Sequence, residues 1–206
     1  MTYRDGWGTI TFDTSYSQKL RLQGGVKDAH LLRWFGTSTA NMEQCMTGRW
    51  LPPAKHFKAH PEWYALIPGT NERDPLAPCV TCEGMYQELF REIEEYLREH
   101  PEAEEVSLCA TDSPYACGCP SCRKLVADYP DPDGAETSVL GVELANRVGR
   151  RFAKTHPGIR FNTLNYGERF PGNEKVRFEP NVGAAVADLR RVNLISPAYF
   201  RKSVAW

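Results

Sequence analysis

No stretch of this 206-residue sequence approaches a membrane span. Its longest apolar runs, such as Val182 to Ala187 with Gly183 inside it, fall far short of the roughly 20 residues that a spanning helix needs. An excess of either charge is also lacking: 25 Lys and Arg stand against 26 Asp and Glu, a net charge of -1. With both signs interspersed and no basic stripe, there is no long-range field to gather a phosphate backbone, so neither nucleic acid nor a membrane is an expected partner. Residues Met1 to Gly8 lack the apolar core of a signal peptide. The chain opens and stops close to what read as structured elements, so a piece of a longer protein is the expectation, with the compartment left open.

What the sequence does have is core material. At 41% apolar and 25% charged residues it holds enough to fold as a single domain over residues 1–206. The clearest period lies between Met85 and His100, where Tyr86, Leu89, Phe90, Ile93, Tyr96 and Leu97 recur at three- and four-residue steps and predict an amphipathic helix. His100-Pro101 ends it, because proline cannot donate and restricts the residue before it. Val106 to Ala110 then reads as a buried strand. The pattern repeats: a helix from about Ser138 to Thr155, a stop at His156-Pro157, and a strand from Ile159 to Leu164. Helix, His-Pro, strand, taken twice, is the αβ half of a repeating α/β unit and points to a parallel sheet, doubly wound or barrel. A third run, Val182 to Ala187, follows a Pro/Gly-rich stretch with no helical period, so that crossover is expected to be irregular. Upstream, Thr14 to Leu22 is a candidate helix, and Leu51 to Pro68 is broken by four prolines into loop and short turns.

Seven cysteines cannot all pair within the chain, and five of them cluster. Cys117, Cys119 and Cys122 fall within six residues, and Cys79-Val80-Thr81-Cys82 adds two more ahead of the Met85 helix. Tetrahedral zinc takes four thiolates, and a Cys-x-x-Cys pair lets two of them grip one ion. Neighbours as close as those in the three-cysteine loop would strain as mutual disulfides. Disulfides in a secreted protein and free thiols are the competing readings. Four sulfurs would close the coordination sphere, which makes such a zinc structural. Cys109, inside an apolar run, reads as a small buried hydrophobe.

In parallel α/β folds the chemistry gathers just beyond the C-terminal strand ends. Three carboxylates follow such ends here: Asp112 after the Val106 strand, Glu168 after the Ile159 strand and Asp188 directly after Val182 to Ala187. Paired carboxylates are what glycoside hydrolysis uses, one as acid and one as nucleophile or base. The same residues could instead cap the helices that follow. Five tryptophans and nine tyrosines offer flat faces for sugar rings, although aromatics more often fill cores.

Several stretches together resemble a known family. Tyr3-Arg4-Asp5, Leu20-Arg21-Leu22, and Leu51-Pro52-Pro53-Ala54-Lys55-His56-Phe57 running into His60-Pro61-Glu62-Trp63-Tyr64-Ala65-Leu66 are similar to the DUF4838 family, a group related to glycoside hydrolases. Val106 to Asp112, the Cys-x-Cys-Pro-x-Cys loop, Asn162 to Tyr166, and Asn181 to Asp188 follow in the same order, so the resemblance covers roughly residues 3 to 190. It implies a (β/α)8 barrel and a carbohydrate substrate. It also implies that one upstream cysteine joins the three-cysteine loop, giving Cys79, Cys117, Cys119 and Cys122 as metal ligands with Cys82 as the alternate.

The expected protein is therefore an α/β, partial (β/α)8 TIM-barrel-like domain with a cysteine-clamped βα loop, since 206 residues fall short of a barrel of about 250. Structural zinc would hold the loop after the Val106 strand, aiming Asp112 at a sugar with Asp188 or Glu168 across the cleft. Tyr166, Trp50 and Arg4 are the candidate substrate-binding residues. An incomplete barrel would also be expected to self-associate. Two other readings stay open: a carbohydrate-binding or scaffolding domain without catalysis, and a zinc-ribbon-like interaction module, for which only Arg123 and Lys124 supply positive charge near the cysteines.

Overall fold

A computed structural model describes residues 46–109, 116–127, 136–166 and 176–187, with the side chains of 136–138, 165, 166 and 185–187 excepted. Within these residues the fold is mixed α/β, with helices around two small sheets and no closed barrel. No described helix is long and apolar enough to cross a membrane. The candidate helix at Thr14 to Leu22 lies outside the described residues.

The proline-broken segment folds into short pieces, as its composition dictates. Helices α1 (Met46–Trp50) and α2 (Pro53–His56) lead through a 3-10 turn (Pro61–Trp63) into strand β1 (Tyr64–Leu66). Strand β2 (Arg73–Pro78) returns antiparallel to it, forming a hairpin where the prolines point to loop and short turns. Pro75 and Pro78 mask β2 in the sequence; in a two-stranded sheet each strand has an outer edge where a missing N–H costs no ladder bond.

Helix α3 (Glu83–Glu99) buries Met85, Tyr86, Leu89, Ile93 and Leu97 along one stripe, the expected period. Its end is set where the sequence put it: the His100 amide still donates to Tyr96 at 2.9 Å, and Pro101 cannot continue the ladder. Strand β3 is shorter than expected, Glu105–Ser107, although Leu108 still donates to the Asn162 carbonyl at 2.7 Å. Helix α4 (Pro120–Ala127) occupies a stretch that reads as loop, and proline at its first position suits a place where no amide is needed. Helix α5 (Glu136–Phe152) then leads past His156-Pro157 into β4 (Arg160–Tyr166), and β5 (Val182–Ala187) coincides with its expected bounds.

Strands β3, β4 and β5 form a parallel sheet in sequence order, with Val106 opposite Phe161 and Tyr166 opposite Ala187. Helix α5 lies very close to the sheet. A Cβ on Gly149 would sit 2.5 Å from Val182 Cγ2, so only glycine permits the approach. Leu144, Val148, Phe152, Phe161, Leu89 and Ile93 share one core. Cys109 is fully buried, as expected for a small hydrophobe.

The crossover from β4 to β5 is irregular where described. Residues 176–181 run back along α5, where Val176 packs on Val139 and Val142. Asn146 holds this strap with both ends of its amide, Nδ2 donating to the Arg177 carbonyl at 2.7 Å and Oδ1 accepting from the Glu179 amide at 2.9 Å. Asn181 Nδ2 adds a bond to the Gly149 carbonyl at 3.0 Å.

Candidate metal centre

Two separate pieces of chain bring the cysteines together. The first is the turn that joins β2 to α3. Cys79 is fixed at its start by its amide bond to the Trp63 carbonyl, 2.7 Å, and Cys82 closes the turn by donating to the Cys79 carbonyl, 2.9 Å. The second is Cys117 to Cys122, which enters α4. Cys119 immediately precedes that helix, and its sulfur accepts the Cys122 amide at 3.4 Å, satisfying one of the donors that a helix start leaves free.

Leu66, the last residue of β1, holds the second piece in place. It donates its amide to Cys117 Sγ at 3.3 Å and accepts the Gly118 amide on its carbonyl at 2.7 Å. One strand residue thus clasps two consecutive residues of the cysteine loop.

The result is four sulfurs, those of Cys79, Cys117, Cys119 and Cys122, all within 4.8 Å of one another and mostly buried. Cys79 and Cys119 are 3.7 Å apart. A tetrahedron of thiolates about 2.3 Å from a zinc ion has edges of about 3.8 Å, so the set fits a single ion. None of the six described cysteines is bonded as a disulfide. Thiolates are soft ligands, and a set of four leaves no open position for water. The arrangement can hold a metal ion.

The electrostatics favour one thiolate within the set. Hydrogen bonds from Cys122 and Cys79, followed by the amides of Cys119 and Leu66, hold the Cys117 thiol far below its ordinary range despite burial. Cys122 retains the proton that Cys117 gives up, so the two titrate as a unit. Because metal ligands must be deprotonated, metal binding here would release protons and strengthen as pH rises.

Cys82 stands outside the four-sulfur set. It sits at the N-cap of α3, half-buried, where burial pushes its thiol up against the pull of the Met85 and Gly84 amides. The geometry therefore takes Cys79 over the alternate. Thr81 is the residue that spacing did not single out, although it lies inside the Cys79–Cys82 motif. Its Oγ1 is 3.2 Å from Cys122 Sγ.

The other expected site residues are distributed differently. Trp50 is 4% exposed; its indole Nε1 donates to the Ser107 carbonyl at 2.8 Å and its ring meets Tyr96 edge-on. That is a packing position, in place of the sugar-facing one expected. Tyr166 closes β4, opposite Ala187. Arg4, Asp112, Glu168 and Asp188 lie outside the described residues.

Compared with known proteins, the chain has no match among curated proteins or solved structures. One family model, described as a domain of unknown function, DUF4838, matches residues 1–198. That match spans nearly the whole chain and agrees with the motifs from Tyr3 to Asp188, so the chain belongs to the DUF4838 family.

Proposed function

We propose that this chain is a carbohydrate-active, glycoside-hydrolase-like module, part of a (β/α)8 barrel whose strand-end carboxylates act on a poly- or oligosaccharide. The observation that carries the reading is the order of the parallel sheet. Strands β3, β4 and β5 are neighbours in sequence order, and α4 and α5 both fall between the first two. A barrel winds this way, whereas a doubly wound sheet reverses direction at a switch point. Tyr166 and Ala187 pair at the C-terminal ends of β4 and β5, and Glu168 and Asp188 follow them by two residues and one. Asp112 follows β3 in the same sense.

In this reading Asp112 and Asp188 or Glu168 divide the roles of acid and nucleophile or base. Zinc is the ion proposed for Cys79, Cys117, Cys119 and Cys122. When bound it supplies rigidity: it ties the chain after β3 to the turn before α3 and so fixes where Asp112 begins its approach. Misplacements of about 1 Å at such sites cost about 100-fold in rate.

The test is release of reducing ends from a panel of plant and microbial polysaccharides, by wild type and by Asp112→Asn and Asp188→Asn. Hydrolysis by wild type that falls at least 100-fold in either variant supports the reading; hydrolysis unchanged in Asp112→Asn refutes the role of that residue. Glycan binding of equal strength in all three without turnover would favour a binding or scaffolding domain. Native mass spectrometry reads the remaining points, with one zinc per chain expected, and a dimer if two partial barrels complete each other.

A further inference from the structure

One hydroxyl stands beside the four sulfurs of the metal centre. Thr81 Oγ1 stands 3.2 Å from Cys122 Sγ, 3.6 Å from Cys119 Sγ and 3.8 Å from Cys79 Sγ. A hydroxyl has one proton, so it can satisfy one of these sulfurs at a time, and Cys122 is the nearest. The other two contacts lie at the long end of hydrogen bonding to sulfur.

The remaining sulfurs are served differently. Cys117 accepts the Leu66 amide and Cys119 accepts the Cys122 amide, both from the backbone. Four thiolates around a divalent cation carry a formal charge of two minus in a largely buried site, and neutral donors aimed at sulfur are what spread that charge. Of these three donors, only that of Thr81 comes from a side chain, and the turn closed by the Cys82 amide fixes where it stands.

We propose that Thr81 is a positioning residue of the metal centre, donating its hydroxyl proton to the Cys122 thiolate. It thereby holds that sulfur in the ligand set and withdraws electron density from it. A hydrogen-bonded thiolate is a weaker nucleophile, so the same contact shields Cys122 from alkylation and oxidation. The inference rests on the metal-centre reading above and adds the residue that tunes it.

The test uses the full chain loaded with Co2+, whose thiolate-to-metal charge-transfer absorption reports electron density on sulfur. Affinity is read in parallel by competition with a chromophoric chelator, for wild type, Thr81→Val and Thr81→Ser. Loss of an outer partner of this kind typically costs about 10- to 100-fold in metal affinity. Thr81→Val is expected to bind Co2+ and Zn2+ that much more weakly, with charge-transfer bands shifted to lower energy, and Thr81→Ser to restore both. A folded Thr81→Val with wild-type affinity and band positions overturns the proposal. Thr81→Ala gives the same reading if the valine variant does not fold, and a serine variant that restores nothing also overturns it. Wild type that takes up neither Co2+ nor Zn2+ overturns the metal centre itself and this inference with it, an outcome the wild-type titration alone identifies.

Discussion

Gly118→Ala tests whether β1 and the cysteine loop are locked together as described. A Cβ at this position would lie 2.9 Å from Pro68 Cα, 3.1 Å from Pro68 N and 3.2 Å from the Leu66 carbonyl oxygen. Carbon atoms pack best at about 3.5–4.0 Å, so the closest contact is at least about 0.6 Å too short. All three neighbours are backbone, and the hairpin behind them is closed by the Ile67 amide on the Glu72 carbonyl at 2.9 Å, so no rotamer change relieves the clash. The loop must retreat instead. Doing so breaks the 2.7 Å bond from Gly118 to Leu66, about 1 kcal/mol, on top of an overpacking cost of about 1–3 kcal/mol. The unfolded chain is restricted by the new methyl, which offsets about 0.4–1 kcal/mol. The net expectation is a loss of about 1–3.6 kcal/mol. Because Cys117 is the adjacent residue, the displacement moves a sulfur, and metal affinity should fall by about 5- to 400-fold if the whole strain is felt there. Urea denaturation with and without Zn2+, together with chelator competition, measures both quantities. Gly158→Ala, where a Cβ would meet nothing within 4 Å, is the control. A Gly118→Ala protein with the control's midpoint and an affinity within twofold of wild type would refute the reasoning.

Three more expectations follow from particular contacts. Cys79→Ser should abolish stoichiometric Zn2+ binding while Cys82→Ser leaves it intact, as measured by metal content after gel filtration; the reverse result would move the centre to the alternate ligand. Trp50→Phe removes the donor to the Ser107 carbonyl in a buried site and should cost about 1–3 kcal/mol in a denaturant titration, with no change expected in glycan binding. Glu88 is held down to about 2 first by its bonds to Arg91 and then by Lys55. The unfolded carboxyl has its ordinary value near 4.5, so the stabilisation is complete above that pH and disappears as pH falls through the folded value. The pairs face solvent, so Glu88→Gln should lower stability by about 1 kcal/mol or less at pH 6, and the two proteins should converge in denaturation curves recorded near pH 2.

The parts of this fold that were legible in the sequence are those in which one element carries its own signal. Helix α3 is written in the spacing of Tyr86, Leu89, Ile93 and Leu97, and its stop in His100-Pro101. The bounds of β5 followed from an unbroken run of small apolar residues. The β1–β2 hairpin was not legible, because Pro75 and Pro78 read as loop unless both strands are known to be edges. Trp50 reads as a sugar platform from its chemistry and as core only once Ser107 and Tyr96 are seen beside it. At the metal centre, spacing supplied the cysteines without choosing between Cys79 and Cys82, which differ in where one turn points their sulfurs. The contributions of Leu66, Gly118 and Thr81 were hidden for a related reason: two come from backbone atoms, and the third is a threonine whose only distinction is its position among sulfurs.

The two-ended grip of Asn146 on the strap bears on how α5 and β5 move. Val176 to Asn181 are anchored to α5 by side-chain amides and a small apolar patch, so the entry to β5 is carried on the same helix that covers the sheet. A shift of α5 along its axis would therefore drag the start of β5 with it. Helix and strand entry behave as one mechanical body, and a disturbance felt at one is delivered to the other.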